Sequence, residues 1–234
     1  MEKLENIRDT ITDEIDNLIS ELPEEKRCEI PDCGIFKLTL AQVRKIAQAG
    51  LALTVFKIGD LITSPHRDGE IAWIVVGVGL YSVKLHMRDA LNGSRCFGEN
   101  NDWESSTIRK WSNDAENGFL SGFSAEDAEA IAPENIITVK NGKANITVDK
   151  LYLLSRTEMG LGDENGIYEG SKLAYYDSNK KRQKVDADGN RRWYCLRSPC
   201  SGHADGVRLV GISGALDSGY AVSSTAVALA CTIR

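Results

Sequence analysis

The chain has 234 residues, 42% of them hydrophobic, and a formal net charge of −6. That is enough chain for one large domain, or a domain with an appendage. The acidic balance argues against a nucleic-acid partner and an anionic membrane surface, and no window reaches the roughly eighteen apolar residues of a membrane span.

The N-terminus, Met1-Glu2-Lys3-Leu4-Glu5, is charged and has no apolar core, so no signal peptide is expected. Leu4, Ile11 and Leu18 recur every seven residues, Ile15 and Leu22 form a second series, and Ile7 and Ile19 widen the stripe. The pattern predicts an amphipathic helix over 4–22, stopped by Pro23. Three heptad turns are short for a coiled coil. The helix therefore reads either as packed on its own domain or as a handle for homo-oligomer formation. Residues 23–34, with two prolines, a glycine and the charged run Glu24-Glu25-Lys26-Arg27, read as a linker. Thr39 is placed to cap a helix over 40–49, with Leu40, Val43, Ile46 and Ala47 on one face and Gly50 at its end. Residues 1–50 are thus helices and linker ahead of a domain over 51–234.

From Leu51 the pattern switches to strands. Residues 56–62 and 70–78 are rich in β-branched and aromatic types and flank a turn at Pro65–Gly69. Tyr81–Met87 alternates Val83, Leu85 and Met87 with Ser82, Lys84 and His86. His66 in the turn and His86 on the polar side of the strand are expected to be solvated. Trp103, Ile108 and Trp111 are spaced to anchor a helix after Asp102, and Ser124 opens a second one over 125–131. Residues 136–139 and 145–148 read as a hairpin around Asn141-Gly142. Residues 160–192 are charged and Gly-rich and read as a surface insertion of solvated loops.

The six cysteines, Cys28, Cys33, Cys96, Cys195, Cys200 and Cys231, are too scattered for a disulfide scaffold, and none has C-x-x-C zinc spacing. There is no nucleophile elbow, phosphate-binding glycine loop or metalloprotease helix. The carboxylates are unclustered, so no acid–base pair can be nominated. No catalytic residue, metal or cofactor is expected, and the chain does not read as an enzyme.

The last segment, 193–234, differs in composition. Lys, Glu, Gln, Met and Trp fill 41 of the first 193 positions and none of those after Trp193. These are the types that cannot be written with a pyrimidine in the third codon position. An Asn codon randomised at its adenines therefore never produces them. A Gly/Ser/Ala-rich, half-buried β segment would also be poor in Lys and Glu.

The order of residues goes further. Trp193-Tyr194-Cys195-Leu196-Arg197-Ser198-Pro199 and Ala226-Val227-Ala228-Leu229-Ala230-Cys231-Thr232-Ile233 resemble the opening W-x-W-L-R-S-P and closing G-V-A-P-A-C-(V/I)-I of the variable region of diversity-generating retroelement variable proteins. Cys195, Ala226 and Leu229 depart from that pattern. Weaker echoes run through 55–192, among them Asp149-Lys150-Leu151-Tyr152-Leu153-Leu154-Ser155.

The resemblance implies an α+β, C-type lectin-like domain preceded by an N-terminal helical segment. It implies a hypervariable receptor-binding protein or adhesin, on a phage virion tail or a bacterial surface, whose partner is a protein or glycan ligand on a target cell. Nucleic acid and membrane are not expected partners. The fold also includes formylglycine-generating enzymes, so an oxidase using Cys195 and Cys200 is the alternative, although fold kinship alone carries no activity. Calcium is not expected, because the segment offers only Asp205 and Asp217. The ligand-binding positions implied are Cys200, Gly202, His203, Asp205, Gly206, Leu209, Gly211, Ile212, Asp217, Ser218, Gly219, Tyr220, Val222, Ser223 and Thr225. All fifteen should be exposed on one face, because a core position does not tolerate many residue types. Tyr220 is the expected hot spot. Leu196, Val207, Val210, Leu216, Val227 and Ala230 are expected in the core.

Overall fold

The computed structural model describes residues 34–234. The helix expected at 4–22, the linker up to residue 33, and Cys28 and Cys33 lie outside the described residues. The largest element is a seven-stranded sheet. Its order is β1 (Ile35–Lys37), β2 (Leu61–His66), β3 (Gly69–Gly79), β4 (Ser82–Met87), β16 (Leu229–Ile233) and β6 (Ile131–Ala132), with β9 (Tyr152–Leu153) also paired to β16. β1 runs parallel to β2, and the other neighbours are antiparallel. Strand β16, nearly the last residues of the chain, thus sits inside the sheet, and all five of its residues are buried. The run Trp73–Val76 in β3 is buried without alternation, as a strand covered on both faces should be.

Helix α1 (Leu40–Gln48) covers this sheet. Thr39 Oγ1 accepts from Gln42 N–H (3.1 Å) and Gln42 Oε1 accepts from Thr39 N–H (2.8 Å), a reciprocal cap. Leu40, Val43, Ile46 and Ala47 are buried, and Gly50 ends the helix at φ 73°. β1 and α1 therefore belong to the same packed body as the residues after 51. A one-turn helix α2 (Ala52–Val55) stands where the sequence reading began its strands.

Three elements match their sequence signals. β7 (Glu134–Lys140) and β8 (Lys143–Asp149) form a hairpin whose Asn141 and Gly142 have φ 50° and 70°. Positive φ at both central positions is the type I′ two-residue loop, whose backbone follows the strand twist. Helix α3 (Thr107–Asn113) is capped by Ser106, whose Oγ accepts from Arg109 N–H at 3.2 Å. Helix α4 (Ala125–Ala130) is capped by Ser124. Trp103 precedes α3 and is buried, its Nε1 donating to Asp149 Oδ2 at 3.0 Å. Trp111 is only half-buried and lies under the Arg95 guanidinium, 3.7 Å from the ring centre.

Three readings are corrected. His66 is not solvated: its ring stacks on Phe119 at 4.3 Å, and its Nε2 lies 3.0 Å from Phe119 O. His86 is fully buried between the Tyr176 hydroxyl and Ala228 O, and burial holds its imidazole well below its usual range. Residues 160–192, with helix α5 (Asn179–Arg182) and strands β10 (Lys184–Val185) and β11 (Arg191–Arg192), are not a solvated insertion. Glu164, Glu169, Tyr176, Arg182 and Lys184 within them are buried. These errors share one cause. The partners that bury each group lie far away in sequence.

Candidate functional site

After Trp193 the chain forms strands, not helices. β12 (Tyr194–Pro199), β13 (Gly206–Val210) and β14 (Leu216–Tyr220) make a three-stranded antiparallel sheet, and β15 (Ser224–Thr225) pairs with β5 (Arg95–Cys96). Leu196, Val207, Val210, Val227 and Ala230 are buried as expected. Leu216 is only half-buried, because β14 is an edge strand with one neighbour.

Two turns meet at the open end of the β13–β14 pair. In the first, Cys200 N–H donates to Gly206 O (2.8 Å), His203 N–H to Cys200 O (3.2 Å) and Gly206 N–H to His203 O (3.0 Å). In the second, Ser223 N–H donates to Tyr220 O at 3.0 Å. Ala221 N–H joins the turns by donating to Asp205 O at 2.7 Å. Asn101 clamps the first turn, its Nδ2 donating to His203 O (2.8 Å) and its N–H to Ala204 O (3.1 Å). Within the two turns these bonds are all backbone to backbone. The turns depend on residue type at two places, Gly202, held at φ 80°, and Ser201, bonded to Glu164; the other exposed side chains make none of the closing bonds.

Of the fifteen predicted positions, Gly202, His203, Asp205, Ile212, Ser218, Tyr220, Val222 and Ser223 are exposed, with Tyr220 and Val222 at 65% and 64%. Cys200, Asp217, Gly219 and Thr225 are half-buried. Gly206, Leu209 and Gly211 are buried, which corrects the expectation for them. A Cβ on Gly206 would come within 3.0 Å of Cys200 Cβ, and one on Gly219 within 2.9 Å of Leu209 Cδ1. Leu209 is thus a packing residue against the Gly219 backbone, not a contact offered to a ligand. The Thr225 hydroxyl is occupied too, lying 2.6 Å from Cys195 Sγ.

The positions also divide in space. Cys200–Gly206, Tyr220, Val222 and Ser223 gather at the open end. Gly211 and Ile212 lie at the other end of the hairpin, about four residue steps or roughly 14 Å away. Trp193, adjacent to that second end, is an aromatic side chain 43% exposed that lies outside the fifteen predicted positions.

Beneath the sheet lie two ionic clusters that the sequence reading missed. Glu164 Oε2 accepts from Arg156 Nη1 (2.7 Å) and Arg208 Nε (2.9 Å), and its Oε1 accepts from Arg208 Nη2 and Ser201 N–H (both 2.9 Å) and from the Ser201 hydroxyl. Burial opposes this charge. The hydrogen bonds from Arg208, Ser201 and Arg156 outweigh it and draw the carboxyl down to about 2.

The second cluster is built on Arg197, 1% exposed. It donates to Glu158 Oε2 (2.5 Å), Leu153 O (2.7 Å), Glu169 O (2.7 Å) and Ile137 O (3.1 Å). Glu169 in turn accepts from Val139 N–H (3.1 Å) and the Ser198 hydroxyl, and burial pushes its carboxyl up. Each sheet strand that carries an Arg is therefore bolted to the body from below: β12 by Arg197 and β13 by Arg208.

The thiols are placed differently from a catalytic pair. Cys195 is 1% exposed, and burial pushes it up to about 11, the reverse of an activated thiolate. Cys195 stands opposite Leu209 and Cys200 opposite Gly206, three residue steps or roughly 10 Å apart across a bulge in β12, beyond disulfide reach. Among the described residues, no three His, Cys, Asp or Glu side chains form a group that could hold a metal ion, and no helix is long and apolar enough to cross a membrane.

The family model described as a domain of unknown function (DUF6273) matches residues 81–234, from the start of β4 through both ends of the candidate surface. No curated protein and no solved structure matches the chain. The matched segment spans more than half of the sequence, so this chain belongs to the DUF6273 family.

Proposed function

We propose that this protein is a ligand-binding protein diversified by a retroelement, presenting variable side chains at the open end of the β13–β14 hairpin on a C-type lectin-like scaffold. Its partner is a protein or glycan on a target cell surface, and its place is a phage tail or a bacterial surface. The observation that carries the reading is the separation of display from support. The 200–206 and 220–223 turns are closed by backbone bonds, and the strands that lead into and between them are held by Arg197, which lies in the opening motif of the resembled family, and by Arg208. Apart from the glycines that the backbone or packing requires, side chains on such a surface can be exchanged without disturbing the fold. Tyr220, with Val222 and His203 beside it, supplies the aromatic and apolar contact in this copy.

A library rewriting seven of the eight exposed positions, with Gly202 kept because its φ of 80° favours glycine, by codons ending in a pyrimidine tests this reading on a panel of whole bacterial cells. Folding is expected in most clones, with stability within about 0.5 kcal/mol of the parent, and the set of cells bound is expected to change between clones. Tyr220→Ala is expected to lose about 2 kcal/mol of binding, roughly thirtyfold, at unchanged stability. Widespread unfolding, or binding indifferent to these positions, defeats the proposal. In the genome, an imperfect copy of the segment differing at adenines is expected beside a reverse transcriptase gene.

A further inference from the structure

A cleft of about 520 Å³ opens between the β2–β3 turn, the loop after β4 and helix α3. That volume lies in the range of sites that hold a small organic ligand. Ile71, Leu91, Trp111 and Phe119 supply its apolar lining, and Asp68, Glu70, Arg88, Asp89 and Arg95 its charged lining. None of the fifteen variable positions lines it, so variation at those positions leaves the cleft intact.

The charged groups are not equivalent. Glu70 pairs with Lys37 (2.5 Å), Asp68 with Arg67 (3.7 Å) and Arg88 with Asp89 (2.6 Å). The Arg95 side chain has no hydrogen bond and no ion pair among the described residues. Its guanidinium lies on Trp111 instead, 3.7 Å from the ring centre, the van der Waals separation of two flat groups in contact. Guanidinium donors lie in the plane of the group, so stacking leaves them unused. The indole N–H of Trp111 has no acceptor among the described residues either, whereas Trp73 donates to Ser64 and Trp103 to Asp149. Strand β5 fixes the base of Arg95, which stands opposite Thr225 in the β5–β15 pair. The cleft therefore presents one unneutralised cation, oriented by an aromatic ring, beside an apolar wall.

We propose that this cleft binds a small organic monocarboxylate, its carboxylate on the in-plane N–H groups of Arg95 and its apolar body against Trp111 and Ile71. A carboxylate matches a guanidinium in plane and spacing, so two parallel charged hydrogen bonds form. Ile71 and Trp111 are only half-buried, and a ring or alkyl body covers the side that they leave open. Asp68, Glu70 and Asp89 repel a second negative charge, which selects a monoanion over a dicarboxylate.

Hydrocinnamate titrated into the full chain with isotope-labelled indoles tests this by NMR, beside hydrocinnamyl alcohol, which has the same ring and chain without the charge. Binding is expected at a Kd of about 1 mM or tighter. The Trp111 indole signal, identified by its absence from Trp111→Phe, is expected to shift. The alcohol and inorganic sulfate are expected to bind at least tenfold more weakly. Arg95→Gln is expected to weaken hydrocinnamate at least tenfold, and Arg95→Lys, which keeps the charge without the planar fork, by a smaller factor. Asn92→Asp, at an exposed position in the lining, adds a carboxylate and is expected to weaken it severalfold. Lys143→Gln, which removes an exposed cation outside the cleft, is expected to bind like the parent. Circular dichroism checks that each variant is folded. A parent that binds no hydrocinnamate at about 10 mM overturns the proposal. So does the alcohol or sulfate binding as tightly as the acid, or an Arg95→Gln or Asn92→Asp chain that binds like the parent.

Discussion

Replacing Glu164 by Gln should loosen the variable sheet from its support, by an amount that depends on pH. The carboxylate accepts from Arg156, Arg208 and Ser201 and is 1% exposed. Its native pKa near 2 stands against 4.5 for an ordinary Glu, a difference of about 2.5 units, or about 3 kcal/mol at 1.36 kcal/mol per unit. The two arginines keep side-chain exposures of 16% and 21%, and solvent screening there brings the expected loss to about 2 kcal/mol. The depressed native pKa means that the unfolded chain takes up its proton first as pH falls. The contribution is therefore fully present above about pH 4.5 and disappears toward pH 2. Urea unfolding of parent and Glu164→Gln at pH 7, 4 and 2.5 measures it. The gap is expected to be about 2 kcal/mol at pH 7 and to narrow steadily at the lower values. A gap of the same size at pH 2.5 would refute an ionic origin, and no gap at pH 7 would refute the supporting role itself.

Two further outcomes follow from burial within the variable segment and beside it. Leu209→Ala is expected to cost 2–4 kcal/mol in urea unfolding, as for other buried leucines, whereas Val222→Ala, 64% exposed two residues after β14, stays within about 0.5 kcal/mol. Equal costs would contradict the separation of display from support. Lys184 is 3% exposed and donates to Met87 O and Arg88 O, and burial lowers its amine to about 7. The native state then binds fewer protons than the unfolded chain between about pH 7 and 10.5, so this group makes stability rise with pH there by up to about 1.4 kcal/mol per unit. Lys184→Met is expected to flatten that slope in melts at pH 7, 8 and 9; an unchanged slope would place the titration elsewhere.

Local signals in the sequence were sufficient for the elements that close on themselves. Thr39 and Gln42 cap a helix because both partners lie within one turn, and Asn141-Gly142 sets a hairpin because two adjacent residues supply the required φ values. The strand character of 193–234 was likewise legible in its alternation of apolar and small residues, and the missing residue types marked that segment as unusual. Exposure within it was not legible. Leu209 and Tyr220 both fall among the types a randomised Asn codon can produce, yet one is 4% exposed and the other 65%. That difference comes from the fold: Leu209 packs on the bare backbone of Gly219 across the hairpin, while Tyr220 stands opposite Gly206 at its open end. The same holds beneath the sheet. Glu164 and Glu169 sit in a charged, Gly-rich stretch that reads as solvated loop. They are buried because Arg208 and Ser198, 44 and 29 residues further along the chain, are brought to them. Composition and periodicity report what a residue can do with its near neighbours. Whether a charge is buried, or a variable side chain displayed, depends on groups that only the tertiary structure brings into range.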